Sequence, residues 1–128
     1  MIITGIGYAL SGLVGAGIVA IGARFLLAPA TAAAAYGVPA DPETGSAGAY
    51  LAVKGVRDIA SGLFVFILIA ARQPHVLGWV MLAATLIPAA DAAIVITHHG
   101  PKATAYGVHG ATAAFMLATA GLLLAAPP

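Results

Sequence analysis

The stretch Tyr50-Leu-Ala-Val-Lys-Gly-Val-Arg-Asp-Ile-Ala-Ser61 places three of the chain's nine charged side chains inside one of its most apolar regions. Lys54, Arg57 and Asp58 follow the i, i+3, i+4 spacing, so a helix puts them on one face. Tyr50 and Ser61 extend that face by one turn in each direction. The pattern predicts a membrane-spanning helix with a buried ionic stripe, around which the other helices are arranged.

The composition favours a lipid environment for the whole chain. Hydrophobic residues make up 62% of the 128 residues and charged residues only 7%, whereas soluble domains are about 25% charged. The length predicts a single domain over 1–128. A net charge of +1 excludes the basic footprint of a nucleic-acid binder, and the lack of cysteine excludes disulfides and thiol chemistry. We predict no cofactor, and we expect a multi-pass protein of the plasma membrane.

Apolar runs divided by short polar stretches predict four membrane spans. A span needs about 20 apolar residues, and the predicted spans are 2–23, 48–71, 75–97 and 103–126. A short helix over 29–36 is expected to lie at the interface after the first span. Pro88 predicts a kink in the third span, because it leaves the Ala84 carbonyl without its donor. The predicted fold is an all-α, four-transmembrane-helix bundle with both termini on one side.

Ionisable side chains from three predicted spans fall at one depth. Loops 24–47 and 98–102 share a membrane face, and the five groups lie about 10–15 Å below it at 1.5 Å per residue. They are Lys54, Arg57, Asp58, Asp91 and His109. We expect Lys54 to pair with Asp58 at i, i+4 and Arg57 to pair with Asp91 across helices. The reverse pairing stays open, and His109 is expected to donate to either carboxylate.

The order of motifs resembles a family of small four-span membrane proteins known only as a domain of unknown function. The matching features are Pro29, Tyr36-Gly-Val-Pro39, Lys54-Gly-Val-Arg-Asp-Ile-Ala-Ser-Gly62, Asp91 and His109-Gly110. The architecture is also distantly similar to DoxX-like four-helix membrane proteins. The resemblance implies a four-helix fold and a membrane location, and it implies no established activity.

The ionisable layer leads to three functional hypotheses. The first is a pocket for a small lipophilic molecule, with Asp91 and His109 as catalytic acid and base. Its predicted ligand-binding residues are Tyr50, Lys54, Arg57, Asp58 and Tyr106. The second is a dimeric proton- or ion-coupled transporter, with Asp91 beside Pro88 as the coupling site.

The third hypothesis is a structural or partner-binding subunit, in which buried ion pairs only specify helix register. The expected partners are membrane lipid, a small lipophilic ligand under the first hypothesis, and a second copy of the chain. No nucleic-acid partner is expected. A metal site is not predicted, because Asp91 and His109 supply only two ligands and a catalytic zinc needs three protein ligands.

Overall fold

The computed structural model describes residues 1–127, which are helical with no β-strand in that range. The helices are α1 (Ile2–Leu27), α2 (Pro29–Tyr36), α3 (Ala47–Ala70), α4 (Pro74–Ala84), α5 (Leu86–Thr97), α6 (Lys102–Thr104) and α7 (Ala111–Leu124). A π-helix over Ala105–Gly110 joins α6 to α7. The predicted all-α class is therefore confirmed, and so is the short helix over 29–36.

Three helical segments are long and apolar enough to cross a membrane. They are Ile2–Leu27, Pro74–Thr97 and Lys102–Leu124. Helix α3 equals them in length at 24 residues, but its three charges keep it outside this group. The membrane character of the protein is thus carried by α1, by α4 with α5, and by the segment from α6 to α7.

Small residues let α1 pack closely along α3 and against α7. Gly7, Ser11 and Gly15, which share one face of α1, are all buried. Seven residues after Gly15, Gly22 lies against the backbone of Gly55 on α3. A Cβ atom at Gly22 would lie 2.5 Å from the Gly55 carbonyl oxygen, so this crossing requires glycine on α1.

Both chain termini lie at one end of the bundle, as predicted. Gly7 of α1 packs against Leu123 of α7, and His75 Nε2 donates a hydrogen bond of 2.9 Å to the Ala126 carbonyl. At the opposite end, Gly37 closes α2 with a φ of 101° and packs against Val95. The segments predicted to share a membrane face therefore meet in the structure.

Two helix boundaries differ from the sequence prediction. Arg24 was expected to end the first span, but α1 continues to Leu27 because the backbone first leaves the helical region at Ala28, directly before Pro29. The third predicted span is broken at Thr85 into α4 and α5. The interruption lies three residues before Pro88, which is in the first turn of α5 and cannot donate to the Ala84 carbonyl. The backbone at Thr85 stays in the right-handed helical region, so the kink at Pro88 stays a prediction.

The π-helix is the one element that the sequence did not predict. It occupies Ala105–Gly110, where the pattern indicated the start of an ordinary span. π-Turns are rare and occur mostly as single turns inside α-helices, frequently at functional sites. This one carries His109 on its buried side.

Candidate functional site

Six side chains from five structural elements meet near the α2 end of the bundle. We call them the inner cluster: Phe25, Tyr36, Lys54, Asp58, Asp91 and His109. Lys54 Nζ lies 2.8 Å from Asp58 Oδ2, which confirms the predicted i, i+4 pair. The Asp58 side chain is only 12% exposed, so its charge depends on this partner.

Two aromatic rings cover the Lys54 ammonium. Its Nζ atom lies 4.8 Å from the Phe25 ring centroid and 5.1 Å from the Tyr36 ring centroid. Both distances are within the range of a cation–π interaction, which grows stronger as the site is desolvated. Lys54 is therefore held by one carboxylate and two rings.

His109 fastens the π-helix to α2. Its Nε2 atom lies 2.8 Å from the Tyr36 carbonyl oxygen. Because a carbonyl oxygen can only accept, Nε2 must carry the hydrogen. The two rings also meet edge to face, with centroids 4.6 Å apart. This arrangement leaves Nδ1 as the ring nitrogen without a hydrogen bond within residues 1–127.

Asp91 is the carboxylate that His109 Nδ1 faces. The Nδ1–Oδ2 distance is 3.9 Å, which is too long for a direct hydrogen bond. Asp91 also lies beside the phenol of Tyr36, and Tyr36 belongs to α2, which is not one of the spanning helices. Burial, and after it the Asp91 carboxylate, raise the pKa of Tyr36, so this phenol remains neutral over the physiological range and can donate a hydrogen bond.

The predicted pairing of Arg57 with Asp91 is wrong, and so is the reverse pairing of Lys54 with Asp91. Arg57 is exposed, and within residues 1–127 it makes no ion pair. The reason is helical geometry, since successive residues turn by about 100° around the axis. When Asp58 faces the interior of the bundle, Arg57 points away from it. His109 makes no direct hydrogen bond to a carboxylate within residues 1–127: Nε2 donates to the Tyr36 carbonyl, and Nδ1 lies 3.9 Å from Asp91 Oδ2, so the expected donation stays a prediction.

Arg57 lies instead in a groove on the outward side of α3. The groove has a volume of about 640 Å³ and is bounded by Ile87 of α5. Its α3 residues include Tyr50, Val53, Lys54, Arg57, Asp58, Ala60, Ser61 and Phe64. We call it the outer groove. Four of the five residues predicted to bind a ligand thus line one cavity. Tyr106, which is 65% exposed, lies outside it, and its predicted role stays a prediction.

A second, smaller cavity lies between α1, α2 and the π-helix. Its volume is about 220 Å³, and Arg24, Phe25, Tyr36 and His109 are among its lining residues. Asp91 lines neither cavity. The two residues predicted to be catalytic are therefore neighbours that share no cavity surface, and their roles stay predictions.

Sequence reasoning missed two members of the inner cluster. Phe25 follows Arg24 in an apolar run, and nothing in its local pattern separates it from a lipid-facing residue. The position of Tyr36 could have been noticed in the sequence. It directly precedes the glycine that ends a short helix next to the predicted ionic layer. A tyrosine at the end of a helix that folds back on the bundle is well placed to bring its ring inward.

The fold and the composition define a small helical membrane protein. The family model described as Domain of unknown function (DUF4267) matches residues 15–123, and the chain belongs to that family. The matched range contains every residue of the inner cluster and of the outer groove. The resemblance to a family known only as a domain of unknown function is thereby confirmed, whereas its four-span architecture and the DoxX-like similarity stay predictions. No curated protein and no solved structure matches the chain.

Proposed function

We propose that this protein has four spans and binds a small lipophilic molecule in the outer groove. The fourth span is α3. Its 24 residues give a length of about 36 Å, enough for a hydrocarbon core of about 30 Å. Its Lys54 and Asp58 neutralise each other at 2.8 Å, and α3 packs along the apolar helix α1. Both features lower the cost of placing its charges in lipid.

The observation that carries the proposal is a polar floor inside a groove on the outside of the bundle. The groove is open on its outer side and has a volume of about 640 Å³. Val53, Phe64 and Ile87 supply apolar walls, while Tyr50 and Arg57 supply polar groups. A ligand dissolved in the bilayer would enter sideways without crossing water.

The proposal is tested by a substitution that fills the groove with a large side chain, followed by a measurement of whether a bound molecule is lost. Ala60 lines the groove, so Ala60→Trp would occupy it. The matched control is Ala118→Trp on the exposed side of α7. Protein purified in mild detergent is examined by native mass spectrometry, followed by solvent extraction. We expect a discrete small molecule on the wild type and the control, and its loss from Ala60→Trp. Bulk phospholipid alone, the same on all three proteins, would contradict the proposal.

A second candidate function, proton transfer to or from the ligand, is favoured by the geometry of His109. Its Nε2 hydrogen is engaged by Tyr36, and its free Nδ1 faces Asp91 at 3.9 Å. Lys54 and Asp58 belong to the inner cluster and also line the outer groove, so they connect the two sites. If the protein transfers a proton to or from the ligand, Asp91→Asn and His109→Gln should change the identity of the molecule that is found bound. If both variants bind the same molecule as the wild type, the proposal of proton transfer is rejected and the proposal of ligand binding is unaffected.

A further inference from the structure

We infer that the ligand of the outer groove is an amphiphile with one anionic headgroup, an inference that rests on the proposed function. The groove contains two cations and one anion: Lys54, Arg57 and Asp58. Lys54 is already paired with Asp58 at 2.8 Å and covered by two aromatic rings. Arg57 is exposed and has no ion-pair partner within residues 1–127. The groove therefore offers one uncompensated positive charge.

The chemistry of Arg57 specifies the headgroup. A guanidinium in a membrane helix is costly unless it pairs or reaches the interface. Its planar fork binds the two oxygens of a carboxylate or phosphate together, with strength that a lysine would not match. Side chains on a helix lean towards its N-terminus. Tyr50 lies in the first turn of α3, on the N-terminal side of Arg57. Arg57 is thus directed towards Tyr50, and the headgroup would lie between these two residues.

The apolar part of the ligand follows from the same helix face. Tyr50, Arg57 and Phe64 are spaced seven residues apart, so they lie on one side of α3, with Phe64 about 10 Å beyond Arg57. Phe64 is 59% exposed, and Ile87 of α5 forms the facing wall. An alkyl chain attached to the headgroup would run along Phe64 and Ile87, past the middle of α3 and away from the Tyr50 end.

A second copy of the chain is a poorer occupant of this groove. A two-fold dimer formed through the outward face of α3 would bring the two Arg57 side chains together. Within residues 1–127 no carboxylate on that face is free to separate them, because Asp58 already binds Lys54. Charge complementarity thus favours an anionic lipid-like molecule over a symmetric partner.

The experiment compares two photoreactive probes that differ only in charge. Hexadecanoic acid and hexadecanol, each with a diazirine on the chain, are added to the full-length protein in phosphatidylcholine nanodiscs at pH 8. Labelled peptides are located by mass spectrometry for wild type, Arg57→Gln, Arg57→Lys and the control Arg72→Gln at the opposite end of α3. Arg57 is exposed and unpaired, so we expect its variants to fold, which circular dichroism and size-exclusion chromatography check.

We expect the acid to label the groove at Phe64 and Ile87 more strongly than the alcohol in wild type and in Arg72→Gln. Loss of the charge-assisted contact in Arg57→Gln should weaken acid labelling about tenfold, with partial recovery in Arg57→Lys. Equal labelling of the groove by both probes would overturn the inference that the ligand is anionic, but not the proposal that the groove binds a ligand. No preference for the groove over other lipid-facing surfaces would overturn the pocket as well. Absence of groove labelling by both probes, together with a dimer in size-exclusion chromatography, would show that a second copy occupies it.

Discussion

The two ends of this bundle are held together in different ways. At the end with the termini, an apolar half is formed by buried side chains that interlock by shape: Val65, Leu77, Met81, Met116, Ala120 and Leu123. At the α2 end, a charged half is formed by the inner cluster, in which each member has a specific partner. Apolar packing tolerates substitutions that conserve volume, whereas a paired charge that loses its partner leaves the other charge uncompensated. The apolar half is therefore held by shape, and the charged half by specific pairs.

The helix crossings of the two halves differ in the same way. In the apolar half, a Cβ atom at Gly7 would meet the Leu123 side chain, which is fully buried but can change its rotamer more readily than a backbone atom can shift. In the charged half, a Cβ atom at Gly22 would meet the Gly55 carbonyl, which belongs to the backbone of α3 and has no rotamer to change. The charged half therefore depends on a crossing that tolerates no extra atom.

The largest effect is expected from Gly22→Ala, which tests this dependence directly. The added methyl group must push α1 and α3 apart, and we expect a loss of about 3 kcal/mol in the free energy of unfolding. Gly17→Ala is the matched control, since nothing lies within 4 Å of its Cβ position. Unfolding in a detergent titration measures both variants. Equal stability of Gly22→Ala and Gly17→Ala would show that the crossing is looser than described.

The apolar half is tested by Leu77→Ala. Leu77 is fully buried, so its truncation leaves a cavity and should cost about 2 kcal/mol. The control is Leu86→Ala on α5, where the side chain is 73% exposed and should contribute little. The same detergent titration applies. If the two substitutions cost the same, buried packing would not be the source of stability in this half.

The Lys54–Asp58 pair is tested by a double-mutant cycle. Asp58→Asn leaves the ammonium with its two aromatic rings but without its counter-charge. Since Lys54 is 29% exposed, we expect a cost of about 1.5 kcal/mol, between the values for exposed and buried pairs. The double variant Lys54→Met, Asp58→Asn should recover part of that loss. The cycle also includes the single variant Lys54→Met. If the cost of the double variant equals the sum of the two single costs, the two side chains do not stabilise each other.

The smallest effect is expected from His109→Leu. This substitution removes the hydrogen bond to the Tyr36 carbonyl, which is worth about 1 kcal/mol. The loss should be local, because that bond ties α2 to the π-helix. Hydrogen exchange should therefore rise within 29–37 and stay unchanged in the apolar half. His109→Gln keeps an N–H donor and should restore protection. A uniform rise along the whole chain would contradict the assigned role.

Periodicity and composition were enough to predict most of the fold. The helix lengths, the α2 segment and the common end of the termini all follow from local rules about span length, proline and glycine. The Lys54–Asp58 pair also followed, because both residues are on one helix four positions apart. Each of these inferences needs only short-range geometry along the chain.

The rest of the candidate site depends on how helices are rotated against each other. The stripe of Lys54, Arg57 and Asp58 predicts a shared face but not which edge of that face turns inward. Arg57 turned outward, and its expected partner Asp91 was found beside Tyr36 and His109 instead. Phe25 entered the cluster because α1 continues one turn beyond Arg24. The π-helix could not be predicted, because its extra residue leaves no mark in a run of small and apolar residues.

The break at Thr85 and the π-helix have a mechanical consequence. Helices α1 and α3 are continuous over their whole lengths, whereas the other two segments are each interrupted, at Thr85 and over Ala105–Gly110. An interrupted helix bends at its joint more readily than a continuous one. Slow collective motion should therefore concentrate in α5 and the π-helix, which pack on each other. A swing of α5 relative to α3 would change the width of the outer groove, because Ile87 of α5 bounds it.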